Sequence, residues 1–172
     1  AGGYAGGVGG RLTSVEAYTP TGWTPLPPLP HAANQATACV LNGRLYVMGG
    51  VDCNKLQVLE MSEENEFTWT VKADLPDERY GAASAVYEGR VWLMGGQRTS
   101  VVIYDPSNDT WTQGPELPHA IYSASPMADV SADGEIHLYA REVHLVLRHG
   151  VWTEAAGAPR QSARACRSIV LG

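Results

Sequence analysis

Three histidines, His137, His144 and His149, lie close together toward the C-terminal end of the chain. Imidazole nitrogens suit zinc, copper and nickel, but a site needs them to converge. His137 and His144 fall on neighbouring expected strands, so a pair is conceivable; placement on a strand face without metal is the default. Cys53 stands beside Lys55 in an expected loop, where a nearby cation could favour the thiolate and redox chemistry. Glu63, Glu64 and Glu66 supply carboxylates, yet they sit in an expected hairpin loop and read as a solvated turn. Arg79 and Arg98 offer planar forks that match carboxylates. Tyr80 and Tyr122 share one repeat position and could anchor a partner or plug a channel mouth. No Gly-x-Ser-x-Gly elbow occurs, and no catalytic or metal site is assigned.

The elements that carry these residues repeat. Leu41-Asn42-Gly43-Arg44-Leu45-Tyr46-Val47-Met48-Gly49-Gly50 is echoed 46 residues later by Tyr87-Glu88-Gly89-Arg90-Val91-Trp92-Leu93-Met94-Gly95-Gly96. Trp23-Thr24, Trp69-Thr70, Trp111-Thr112 and Trp152-Thr153 follow one another at 46, 42 and 41 residues. Prolines close the units at Pro30, Pro76, Pro118 and Pro159. A period in the forties with four short β signals per period predicts the blades of a β-propeller.

The expected strands are 36–41, 44–50, 56–61 and 67–73 in the best-formed blade, and 82–87, 90–96, 100–105 and 110–113 in the next. A worn blade uses 122–130, 135–140, 142–147 and 150–154, while 13–18 and 22–25 belong to a partial first blade. The domain plan is a partial blade over 1–30, blades over 31–76 and 77–118, a degenerate blade over 119–159, and one more first strand over 160–172. Small residues such as Ala82, Ala83 and Ala85 suit the crowded innermost strand. The Gly-Gly doublets allow sharp turning and close approach. The outer Trp fills the widening gap between blades. Asn42-Gly43 and Asp133-Gly134 read as two-residue hairpin turns, with Glu88-Gly89 at the same place. Tyr104-Asp105-Pro106 opens a strong turn.

Composition bounds the function. With 44% hydrophobic and 17% charged residues the chain can bury a core, so a folded domain is expected. A net charge of −6 argues against nucleic acid as the main partner, because phosphate binding needs a basic footprint. No apolar run reaches the length of a membrane helix, so no membrane insertion is expected. Cys39, Cys53 and Cys166 form no CxxC pair, which favours a reducing compartment; the cytoplasm is expected. The Gly-rich start contains three doublets, Gly2-Gly3, Gly6-Gly7 and Gly9-Gly10. No Lys-Ser/Thr or helix start follows them, so a phosphate cradle is not favoured.

The Gly-Gly doublets, the Tyr-Asp-Pro turn before Trp111 and the Trp then Leu-Pro element at Trp23, Trp69 and Trp111 resemble the kelch repeat. The degenerate blade departs from it: Tyr139-Ala140-Arg141 replaces Gly-Gly. The resemblance implies an all-β, kelch-type β-propeller with about four blades represented, belonging to a larger ring of six or so. A four-bladed ring closed by the terminal strand is the other arrangement. Open blade edges would be covered by missing blades or by another chain. It also implies a binding face made by two loop sets. One joins each outer strand to the next inner strand (31–35, 77–80, 119–122, 160–163). The other follows the second strand (51–55, 97–100 and Arg141-Glu142). The equivalent positions are Asn34, Asn54, Arg79, Tyr80, Arg98 and Tyr122. A non-catalytic adaptor or scaffold subunit that binds protein, with no cofactor, is the expectation. The alternative is a propeller enzyme related to sugar epimerases or copper oxidases, with a site at the channel mouth.

Overall fold

Every described strand is short and antiparallel to its neighbours, because within each sheet consecutive strands are joined by connections too short for a parallel crossover. The computed structural model describes residues 1–5, 10–64, 66–122, 126–140 and 143–156. The expected terminal strand at 160–172, the 160–163 loop, the doublets at Gly6-Gly7 and Gly9, Arg141-Glu142 and Cys166 lie outside the described residues. The chain divides into two compact units, Ala1–Tyr80 and Gly81–Gly172.

The first unit holds a two-stranded ribbon, β1 (Tyr4–Ala5) with β2 (Gly10–Arg11), and a hairpin, β3 (Val15–Thr19) with β4 (Gly22–Leu26). A four-stranded sheet follows in the order β5 (Thr37–Leu41), β6 (Arg44–Met48), β7 (Leu56–Met61) and β8 (Phe67–Val71). Val15, Leu29, Ala33 and Val47 form its core, with Ala36, Ala38, Leu45 and Trp69 packed against them.

The second unit contains two such sheets. One runs β9 (Ala82–Tyr87), β10 (Arg90–Gly95), β11 (Val101–Asp105), β12 (Thr110–Gln113). The other runs β13 (Met127–Val130), β14 (Ile136–Ala140), β15 (Val143–Arg148), β16 (Val151–Glu154). Ala83, Ala85, Trp92 and Met94 of the first face Ile136, Leu138, Leu145 and Trp152 of the second in one core. Small side chains on β9 permit this close approach. The worn blade therefore folds as a full four-stranded sheet without its Gly-Gly.

The outer tryptophans repeat a further contact. Trp69 Nε1 donates to the Pro27 carbonyl at 2.8 Å, and Trp152 Nε1 to the Pro115 carbonyl at 3.0 Å. Each acceptor lies four residues after the tryptophan of the preceding unit, Trp23 or Trp111. The indole thus fills apolar space and also satisfies a linker carbonyl. Trp23 differs: it is 70% exposed and meets only Tyr18 edge-on among the described aromatic contacts, at 5.4 Å.

Asn42-Gly43 and Glu88-Gly89 both take positive φ (51° and 72°; 50° and 69°), the geometry of a two-residue type I′ hairpin. Asp133-Gly134 does not. Only Gly134 is left-handed, and Ser131 N–H bonds to the Glu135 carbonyl at 2.9 Å, so this turn is longer than expected.

Candidate functional site

The Gly-Gly doublets build the loop face. Gly49 and Gly50 have φ of +64° and +121°, where a Cβ is strained. Gly50 N–H reaches the Arg79 carbonyl at 2.9 Å and Val51 N–H the Asn34 carbonyl at 2.9 Å. A Cβ on Gly50 would sit 2.8 Å from that Asn34 oxygen. Leu75 N–H closes the set on the Asn54 carbonyl at 2.8 Å. Asn34, Asn54 and Arg79 thus tie three loops of the first unit together through their backbones. Asn34, Asn54 and Tyr80 are half-buried.

Arg79 lies deeper than a rim residue. It is 2% exposed, and its fork closes on Asp77, with Nε to Oδ1 at 3.0 Å and Nη2 to Oδ2 at 3.1 Å. The guanidinium expected to meet a partner's carboxylate is engaged by one two residues away. Cys53 is also buried, and Lys55 Nζ bonds Asp74 at 2.6 Å, so the exposed thiol expected there is absent.

The same wiring recurs in the second unit. Gln97 N–H donates to the Ile121 carbonyl at 2.9 Å, and Ile121 N–H to the Arg98 carbonyl at 3.4 Å. Arg98 and Tyr122 therefore sit on one tied loop pair, both exposed, Tyr122 at 68%.

Position also settles the Gly-rich start. Gly2 has φ +70°, and Gly3 N–H bonds the Ala33 carbonyl at 2.7 Å. A Cβ on Gly2, on Gly49 and on Gly95 would crowd Ala33, Arg79 and Ile121 respectively. These neighbours stand 46 and 42 residues apart, the spacing of the tryptophans. Gly2-Gly3 is the repeat doublet, and the β1–β2 ribbon is an insertion after it. From that ribbon Arg11 reaches the 51–55 loop, with Nη1 on the Val51 carbonyl at 2.9 Å and Nη2 on Asp52 at 2.7 Å. Sequence reading missed Arg11, because an insertion has no counterpart in the other repeats.

Among the described residues no group of three or more His, Cys, Asp or Glu is placed to hold a metal ion. His137 and His144 nevertheless meet, with Nδ1 to Nε2 at 2.9 Å, while His149 stays exposed on the turn with Gly150. Burial, then the charge of His137, holds His144 below the usual imidazole value. At the opposite end of β10 and β15 from Gly95 and Val143, a cleft of about 410 Å³ is lined by Tyr87, Glu88, Trp92, Asp133, Glu135 and Arg148.

The Kelch motif family model matches residues 78–118, which span β9 to β12 and both flanking linkers. This segment of the chain is a kelch repeat. Kelch-like protein 35 of Mus musculus is 28% identical over 135 residues, covering 74% of this chain and 22% of that protein. Kelch-like protein 36 of Bos taurus is 30% identical over 116 residues, covering 66% of this chain and 12% of that protein. The chain thus spans less than a quarter of the length of these curated relatives. Among solved structures it resembles a fungal alcohol oxidase of the AA5 family in complex with copper, at TM-score 0.61 and 15% identity over 69% of this chain and 30% of that one. It also resembles YjhT, at TM-score 0.59 and 21% identity over 66% and 35%. At such identities the likeness shows the propeller fold and carries no chemistry. Among the described residues no helix is long and apolar enough to cross a membrane.

Proposed function

We propose that this chain binds a protein partner through the loops that follow its Gly-Gly doublets, as a non-catalytic adaptor or as a scaffold subunit of a larger assembly. One observation carries the reading. In both units the loop after the second strand is bonded backbone to backbone to the loop entering the next blade. Rigid loops that present varied side chains lose little entropy on binding. The residues best placed to touch a partner are Arg98 and Tyr122, with Asn34, Asn54 and Tyr80 half-buried beside their own loops. Arg79, buried and closed on Asp77, holds its own loop in the first unit. Cytoplasmic residence and coverage of open blade edges by further blades or another chain belong to the same proposal. Selection of a displayed peptide library on the wild-type chain, with binders re-measured on Arg98→Ala and Tyr122→Ala, tests it. Loss of about tenfold or more in affinity supports the loop face. Binders that ignore both changes sink it.

A further inference from the structure

Independently of that face, we propose that the cleft at the other end of β10 and β15 is a docking site for a peptide segment that carries a lysine. Three hairpin turns of the second unit rim it. Glu88 stands on the β9–β10 turn, Asp133 on the β13–β14 turn, and Arg148 enters the β15–β16 turn. Trp92 and Leu147, both members of the core shared by the two sheets, form the floor. The volume of about 410 Å³ is that of a small-ligand cleft and accommodates one long side chain with its flanking peptide groups.

The floor carries a donor that the fold does not use. Trp69 and Trp152 give their Nε1–H groups to linker carbonyls. Trp92 is only 9% exposed, yet its Nε1–H meets no acceptor among the described residues. A buried donor left unpaired is costly, and a peptide carbonyl drawn into the cleft restores the bond. The indole is held before any ligand arrives, edge-on to Tyr87 with ring centroids 5.7 Å apart, so little order is lost on binding.

The rim supplies the charge. The Glu88 carboxylate lies close enough to the Tyr87 phenol to hold that group above its usual value. Asp133 is exposed and in no ion pair among the described residues. Glu135 also lines the cleft, but Arg148 Nε closes on it at 2.6 Å and His149 stands near it, so its charge is already answered. Glu88 and Asp133 therefore leave the rim negative. Two carboxylates on separate turns suit a compact ammonium with three donors better than a planar fork made for one carboxylate. The four-carbon stem of a lysine lies along Leu147 and the Tyr87 and Trp92 rings, apolar below and charged above. The chain's net charge of −6 adds longer-range attraction for such a segment.

Titration of the whole chain with the tripeptide Ala-Lys-Ala, capped at both ends and followed in ¹H–¹⁵N spectra, tests this. The Trp92 indole signal should move saturably and ahead of the other tryptophan signals. Norleucine in place of the lysine keeps the stem, drops the charge and should weaken binding by about tenfold, a reading that needs no altered protein. Glu88→Gln and Asp133→Asn change turn residues outside the core and should each weaken binding about threefold. Arg98→Ala, on the Gly-Gly loop face, should leave it unchanged. A Trp92 signal that does not move saturably overturns the proposal. So do equal binding of the norleucine peptide, indifference to both carboxylate changes, and binding lost in Arg98→Ala.

Discussion

Gln57 clasps His31 at both of its backbone polar groups. Its Oε1 accepts the His31 N–H at 2.8 Å, and its Nε2 donates to the His31 carbonyl at 3.1 Å. Gln57 is 0% exposed on β7, so a central strand spends a buried amide on fixing the start of the 31–35 loop. Gln57→Leu keeps the bulk but leaves two loop groups and the strand without these bonds. The expected cost is roughly 1–3 kcal/mol, read as a lower urea midpoint at unchanged slope. A midpoint equal to wild type would show that water replaces the amide freely.

Gly50 and Gly43 both have positive φ, but only Gly50 meets a neighbour. Nothing lies within 4 Å of a Cβ built on Gly43, whereas one on Gly50 lies 2.8 Å from the Asn34 carbonyl oxygen. Gly43→Ala should cost about 1 kcal/mol from backbone strain alone. Gly50→Ala adds a clash with backbone and should cost about 3 kcal/mol, with the 31–35 loop displaced. Equal destabilisation of the two in denaturant melts would refute close approach as the reason for the doublet.

Trp152 and Trp23 occupy one repeat position in different surroundings. Trp152→Phe removes a buried slab edge and leaves the Pro115 carbonyl without its donor, so a loss of about 2 kcal/mol is expected. Trp23→Phe touches a residue 70% exposed and should change stability by less than about 0.5 kcal/mol. Thermal melts of the two variants side by side decide this.

Asp105 gives the Tyr-Asp-Pro turn a pH signature. Its carboxylate accepts from Ser107 Oγ at 2.6 Å and Ser107 N–H at 2.9 Å, and these bonds, with Arg90 nearby, hold it below the usual range. A depressed carboxyl contributes stability that is present above its unfolded value, about 4, and is lost as pH falls through the folded value. Asp105→Asn should therefore be less stable than wild type at pH 7, with the gap closing below about pH 4. A gap constant with pH would place the effect in side-chain shape, not charge.

The blades were legible because each strand carries its own marker. β9 and β12 fall where expected to the residue, since Ala-rich and Trp-Thr segments recur with nothing inserted between them. The ribbon at Tyr4–Ala5 and Gly10–Arg11 was not, because three Gly doublets there are locally equivalent and only packing against Ala33 distinguishes Gly2-Gly3. At the candidate site, the loops could be placed by repeat position, and Arg98 and Tyr122 are exposed there. The depth of Arg79 could not, since an Asp two residues earlier is as compatible with solvent as with a buried fork. Gln57 looked like any polar residue in a strand, because its partner is backbone 26 residues away.

The Arg79–Asp77 pair separates a supporting role from a contacting one. Arg79 has a side chain with no exposure, while Asp77 keeps 31%, so the carboxylate can rehydrate if its partner is lost. Arg79→Ala should cost about 2 kcal/mol, below the range for a pair buried on both sides, because only one charge is fully desolvated. It also removes a buried stem from the 77–80 loop. Arg79→Lys keeps the charge but not the planar fork, and should recover under half of the loss. If Arg79 acts from beneath, partner affinity should fall in Arg79→Ala only together with stability in a thermal melt. Affinity lost with the melting temperature unchanged would move Arg79 onto the contact surface.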